Sequence, residues 1–328
     1  MRRPPETNAK RHHHVPVSYI LRFSPDGKHL FVFDRVSNTI RRDIPHNVAV
    51  ESEFNTVVAH GVKKERWAEA KLAEIDSIAR PLLDKIERGE SLSREERWYV
   101  SFFIAFGDTR GGGFRHELHA SGDHEDLEAG LRSADLSQIV PDGEERHRFE
   151  EAFAAASGVW VDARTIARMA LDDMARIASG GANVVAMVWT GSELAQLIFH
   201  AGWVIVKAPP DSSFITSDRP LGLWRPDHGL ASDPFEPGVL KLFPVSPATA
   251  LIIGNLAREP FTTEQTIDPP VVRLANAAIL RRSHRFAVAP SEPLLQIAEA
   301  DAARLFQVNS SASQLLRGPD ASRARVTR

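Results

Sequence analysis

The sequence predicts an α+β protein: a central helical bundle flanked by an N-terminal β-meander and a C-terminal antiparallel β-rich part, the two β parts able to form one sheet. Three observations predict it. Between Tyr19 and Arg42, β-rich runs (YILRF, HLFVFD, TIRR) alternate with the turn chemistry of SPDGK and VSN. From Lys64 the apolar period lengthens to three and four residues. After Gly202 the runs WVIVKAP, SFITS, VLKLFPV and ALIIG return to β character, separated by proline-containing turns. Strands and helices grouped in this way favour α+β over a doubly wound sheet.

Taken in order, Trp67, Leu72, Ile75, Ile78, Leu82, Leu83 and Ile86 share one helical stripe that ends before Arg88-Gly89. The next helix opens on a capping box, Ser93-x-x-Glu96. Its segment WYVSFFIAF is almost continuously apolar, which predicts burial on most sides. Further helices are expected over 144–156, 162–178 and 181–199, then 270–283 and 292–306, with a short strand RFAVAP between the last two. No repeat of fixed period appears. Residues 12–308 are expected to form a single α+β domain. Residues 1–11 and 309–328 are too polar to offset their ordering entropy and are expected to be flexible tails.

Composition narrows the function classes. Forty Lys plus Arg against 43 Asp plus Glu give a formal charge of -3, so no global basic field attracts nucleic acid or anionic lipid. The absence of cysteine excludes disulfides, thiolate metal sites and a cysteine nucleophile. No apolar run approaches the roughly 18 residues of a membrane span, and MRRPPETNAK lacks the apolar core of a secretion signal. A cytoplasmic protein with no membrane partner is the expectation.

The opening stretch RHHHVPVSYILRF carries a resemblance. His12, His13, His14, Val15, Pro16, Tyr19, Ile20 and Phe23 match a His-His-x-Val-Pro-x-x-Tyr-Leu-x-x-Phe signature, with His14 in a slot that is usually aromatic. The chain is similar here to bacterial proteins grouped as domain-of-unknown-function family 4238. It resembles them further through VFD at Asp34, the segment with Glu51 and Phe54, the helix with Glu74, the Arg110 segment, FITSDRPL with Ser217 and Asp218, FPVSP, and a helix bearing Asn276. Gly-Gly-Gly after Arg110 departs from the family pattern of a small residue and proline. The resemblance implies a shared fold with no defined activity.

Candidate chemistry is therefore read from the residues. His12 and His13 have ring nitrogens suited to acid–base work or metal ligation, although neighbours on a strand point to opposite faces unless the backbone is irregular. Alternatively, one ring packs and the other is exposed. Asp218 ends a β-run, where it either displays a carboxylate or closes a turn through nearby amides. Glu74 borders an apolar stripe, as a site carboxylate or an exposed ion-pair partner. Arg110 closes a buried helix, where it either binds an anionic group or caps carbonyls. His116, His119, Asp123 and His124 lie in an acidic stretch where eleven acids face four arginines between residues 115 and 151, and are expected to be surface residues.

Two functional readings stand. One is a hydrolase or nuclease using His12, His13, Asp218, Glu74 and Arg110, with a divalent metal on His13 and Asp218 and a small-molecule phosphate compound or nucleic acid as substrate. A role in cell defence is compatible with such a bacterial family. The other is a binding or regulatory module in which His12, His13, Asp218 and Asn276 form a buried network that specifies the fold.

Overall fold

A computed structural model describes residues 11–48, 50–52, 57–59, 63–65, 67–121, 129–137, 139–140, 142–157, 159–225, 229–254 and 264–304. The chain divides into two compact units: 1–54, 70–114 and 190–328 in one, 55–69 and 115–189 in the other. The class is α+β, as expected.

Two sheets organise the first unit. Strands β2 (Leu30–Asp34), β3 (Thr39–Asp43), β8 (Thr216–Ser217) and β14 (Phe286–Ala289) form a four-stranded sheet in the order β3-β2-β14-β8. The predicted meander thus pairs with C-terminal strands. The remaining C-terminal strands build a separate six-stranded sheet. They are β7 (Gly202–Lys207), β9 (Gly222–Arg225), β10 (Gly229–Leu230), β11 (Leu240–Ser246), β12 (Thr249–Gly254) and β13 (Glu264–Thr266), in the order β10-β9-β11-β12-β7-β13. All its pairs are antiparallel except β13 on β7.

Both β11 and β12 are buried along their whole length, which explains why their sequences read as continuous apolar runs. Alternate side chains still face opposite ways. Phe243, Val245, Leu251 and Ile253 join a core with residues of helices α2 (Trp67–Glu87), α3 (Arg94–Thr109) and the end of α6 (Ala163–His200). Leu242, Ala250 and Ile252 join a second core with helices α7 (Pro269–Arg282) and α8 (Glu292–Arg304). In space, the strands lie between two helical layers.

One predicted strand folds differently. YILRF forms helix α1 (Val17–Ile20) and a 3₁₀ turn (Leu21–Phe23), not an extended run. Pro16 sets φ to -59° at the helix entrance, and its carbonyl accepts the N–H groups of Tyr19 and Ile20. The turn places Tyr19, Ile20 and Phe23 in the core together, which a strand would divide between two faces. The Tyr19 ring packs 5.3 Å from Phe243 and 5.8 Å from Phe103, while its hydroxyl donates to the Pro244 carbonyl at 2.7 Å. Before this turn, β1 (Arg11–His13) pairs with β4 (Val50–Ser52).

In the second unit, β5 (Val57–Ala59) and β6 (Lys63–Glu65) make a hairpin beside helices α4 (Gly112–Ser121) and α5 (Gly143–Ser157) in chain order. Leu131, Leu171, Ala175 and Val185 form its small core. Asp162 caps α6 through the N–H of Thr165 at 3.0 Å. The helix then runs unbroken to His200 where two helices are expected, because Ser179-Gly180-Gly181 continues helically between apolar turns. Each interior glycine costs about 1 kcal/mol against alanine, which a long helix with buried faces absorbs. Among the described residues no helix is long and apolar enough to cross a membrane.

Candidate functional site

The last turn of α3 carries a charge that its sequence context makes costly. Asp108 ends the apolar run WYVSFFIAFGD and is 2% exposed, so its carboxylate must find partners inside the protein. Arg282, at the end of α7, grips it with both Nη atoms, Nη2 to Oδ2 at 2.9 Å. Arg219 adds a longer bond at 3.4 Å. Burial alone would raise the Asp108 carboxyl, but the guanidiniums of Arg282 and Arg219 outweigh it and hold the carboxyl below the usual carboxylate range. Arg282 also donates to the Leu221 carbonyl at 3.0 Å.

Directly after α3, Gly111 to Gly113 lie against the segment Asp218-Arg219. A Cβ on Gly111 would sit 2.9 Å from the Asp218 carbonyl oxygen, and one on Gly113 would sit 2.7 Å from Cδ of Arg219. Close backbone approach therefore accounts for the glycines that replace the family's small residue and proline. Helix α4 starts at once, at Gly112, so the segment with His116 is helical.

Asp218 follows β8 and faces β14. Its Oδ1 accepts the N–H of His284 at 2.9 Å, and its Oδ2 accepts those of Arg285 at 2.6 Å and Phe286 at 3.2 Å. Its own N–H donates to the Phe286 carbonyl. With the residue 3% exposed, burial holds the carboxyl above its ordinary value despite the three amides. Asn276, on α7, works similarly: its side chain accepts from Ile215 N–H at 3.0 Å and donates to the Ser213 carbonyl at 2.8 Å. Ser217 closes the turn by donating to the Arg219 carbonyl.

The other expected site residues separate. Arg110 is 2% exposed, and its Nη1 donates to both oxygens of Asp76 at 3.0 Å; its Nε and Nη2 are buried with no hydrogen-bond partner among the described residues. Glu74 is exposed and pairs with Lys71 at 2.9 Å. His12 and His13 stand on β1 opposite Glu51 and Val50 of β4; their side chains lie outside the described residues, as do Phe54, Asp123 and His124 and the side chain of His119. The ring of His14 is buried and stacks on Phe286 at 6.5 Å. That ring therefore lies against the residue whose amide holds Asp218. No group of three His, Asp or Glu side chains suited to a metal ion occurs among the described residues.

Four participants escaped the sequence reading: Asp76, Asp108, Arg219 and Lys241. Lys241, inside the apolar strand β11, is 3% exposed, with the Val239 carbonyl at 3.3 Å as its one acceptor among the described residues. Burial pushes its ammonium down to about 8, against the field of Asp233 and with that of Arg282. Each had a usable signal. Asp108 and Lys241 are charges inside apolar runs, and such charges need partners or a shifted pKa. Asp76 lies one helical turn from Leu72 on the buried stripe, whereas Glu74 points off it.

The cluster is closed to solvent: Asp108, bound by two guanidiniums, and Asp218, bound by three amides, are both almost fully buried. The family model described as "Protein of unknown function (DUF4238)" matches residues 11–292. No curated protein and no solved structure matches the chain.

Proposed function

The chain belongs to the family of proteins of unknown function DUF4238, and from that premise we propose that it is a non-catalytic binding or regulatory module whose shared His and Asp motifs are structural. One observation carries this reading: both oxygens of Asp218 already accept backbone N–H groups of residues 284–286. A carboxylate used in this way ties the end of β8 to the start of β14, and Asn276 ties α7 to the segment entering β8. A metal on Asp218 does not fit this setting, because the carboxylate is 3% exposed, already accepts three backbone N–H groups, and belongs to no group of three His, Asp or Glu side chains suited to an ion among the described residues.

A second reading, a hydrolase acting on a phosphate-containing small molecule or nucleic acid, is favoured by the idle buried nitrogens of Arg110. In it His12 or His13 serves as base to a water and Arg110 holds the phosphate.

Asp218→Asn and His13→Ala separate the readings. As a structural lock, Asp218→Asn loses about 2–4 kcal/mol in urea unfolding, since an amide nitrogen faces donors. His13→Ala, at a motif position with a structural role, also unfolds at lower urea than the parent, and neither protein nor variant turns over a panel of nucleotides and nucleic acids. Turnover by the parent that disappears in His13→Ala, with the unfolding midpoint unchanged, would establish the hydrolase instead.

A further inference from the structure

At the opposite end of α3 from Asp108, eleven residues and about 16 Å away along the helix, a cavity of about 440 Å³ opens beside Arg97. Its walls include Arg94, Phe199, His200, Trp203 and Leu251. Arg94 and His200 are exposed and form its rim, while Trp203 and Leu251 belong to the core and form its depth. The volume falls in the range of small-ligand pockets.

Arg97 is the unusual member. It is 8% exposed, yet among the described residues no carboxylate pairs with it or with Arg94. Its Nε donates to the Phe199 carbonyl at 3.0 Å and its Nη2 to the Ala201 carbonyl, while its guanidinium carbon lies 4.2 Å from the centre of a Trp203 ring. These three partners fix the plane of the group and leave Nη1 without an acceptor. Burial alone lowers the Arg97 pKa to about 10, with no acid to offset it. Glu90, the acid on the cavity wall, is bound to Arg88. Carbonyls and an aromatic face hold this guanidinium without a carboxylate beside it among the described residues, so its remaining nitrogen can take an anion.

We propose that this cavity binds a small amphiphilic carboxylate, its head on Arg97 Nη1 and Arg94 and its apolar body against the half-buried ring of Phe199. The apolar lining argues against free phosphate. The proposal concerns the end of α3 opposite Asp108 and holds whichever role the Asp218 lock has.

Calorimetric titration of the full chain with decanoate, and with decanol as the neutral control, tests it. Decanoate is expected to bind about tenfold tighter than decanol, the worth of one charge-assisted hydrogen bond. Arg97→Lys should weaken decanoate by about tenfold. Because Arg97 also caps two carbonyls, its variant could misfold; Arg94→Ala, at an exposed position, should fold as the parent does and weaken decanoate about fivefold. Failure of decanoate to bind at millimolar concentration, equal binding of decanol, or an Arg94→Ala variant that binds as the parent does would each overturn the proposal.

Discussion

Replacing Asp108 with asparagine is expected to destabilise the fold by about 3–5 kcal/mol, the usual cost of breaking a buried ion pair from one side. The side chain keeps its shape, but Arg282 and Arg219 lose the buried carboxylate that compensates them. Two buried guanidiniums then face a neutral amide where the carboxylate stood. The sign of the pH dependence follows from the depressed folded pKa. The stabilisation by Asp108 is complete above the ordinary carboxylate range and is lost as pH falls through the lower, folded value. Adding Arg282→Met to Asp108→Asn should recover part of the loss, since it removes the stranded cation. Urea unfolding of the single and double variants checks both statements, and a single-variant loss under about 1 kcal/mol would refute the coupling.

The second large effect runs the other way. Lys241→Met is expected to stabilise the protein by about 1–3 kcal/mol at pH 7, because methionine fills a similar volume without a charge to desolvate. In the parent the folded pKa of about 8 lies below the ordinary lysine value. The unfolded chain therefore binds the proton more tightly, and parental stability rises as pH climbs from about 8 to about 10.5. Over that interval the advantage of the variant should shrink towards zero. A variant less stable than the parent at pH 7, or an advantage unchanged at high pH, would show that the ammonium has a partner that outweighs its burial.

Much of the fold was legible because periodicity reports burial directly. The stripe from Leu72 to Ile86, the Ser93 capping box and the continuous runs of β11 and β12 each translate into the element they predict. What escaped were features decided by partners distant in sequence. YILRF has strand composition, but Pro16 and the need to bury Tyr19, Ile20 and Phe23 together make it a helical turn. The same holds for the polar cluster. Asp218 was singled out as the residue that ends a β-run, yet its amide partners lie 66 to 68 residues downstream, where no local pattern announces them. Glu74 borders the stripe, but the helical turn from Leu72 to Asp76 is the better guide to which carboxylate reaches Arg110. Of the histidine run, the described ring is that of His14, which packs against Phe286.

Amide hydrogen exchange at His284, Arg285 and Phe286 tests most directly whether Asp218 is a sealed lock. These N–H groups are expected to exchange only through global unfolding in the parent, and far faster in Asp218→Asn. Rapid exchange of all three in the parent would mean that water reaches the carboxylate freely, and the structural account of the shared motifs would fail.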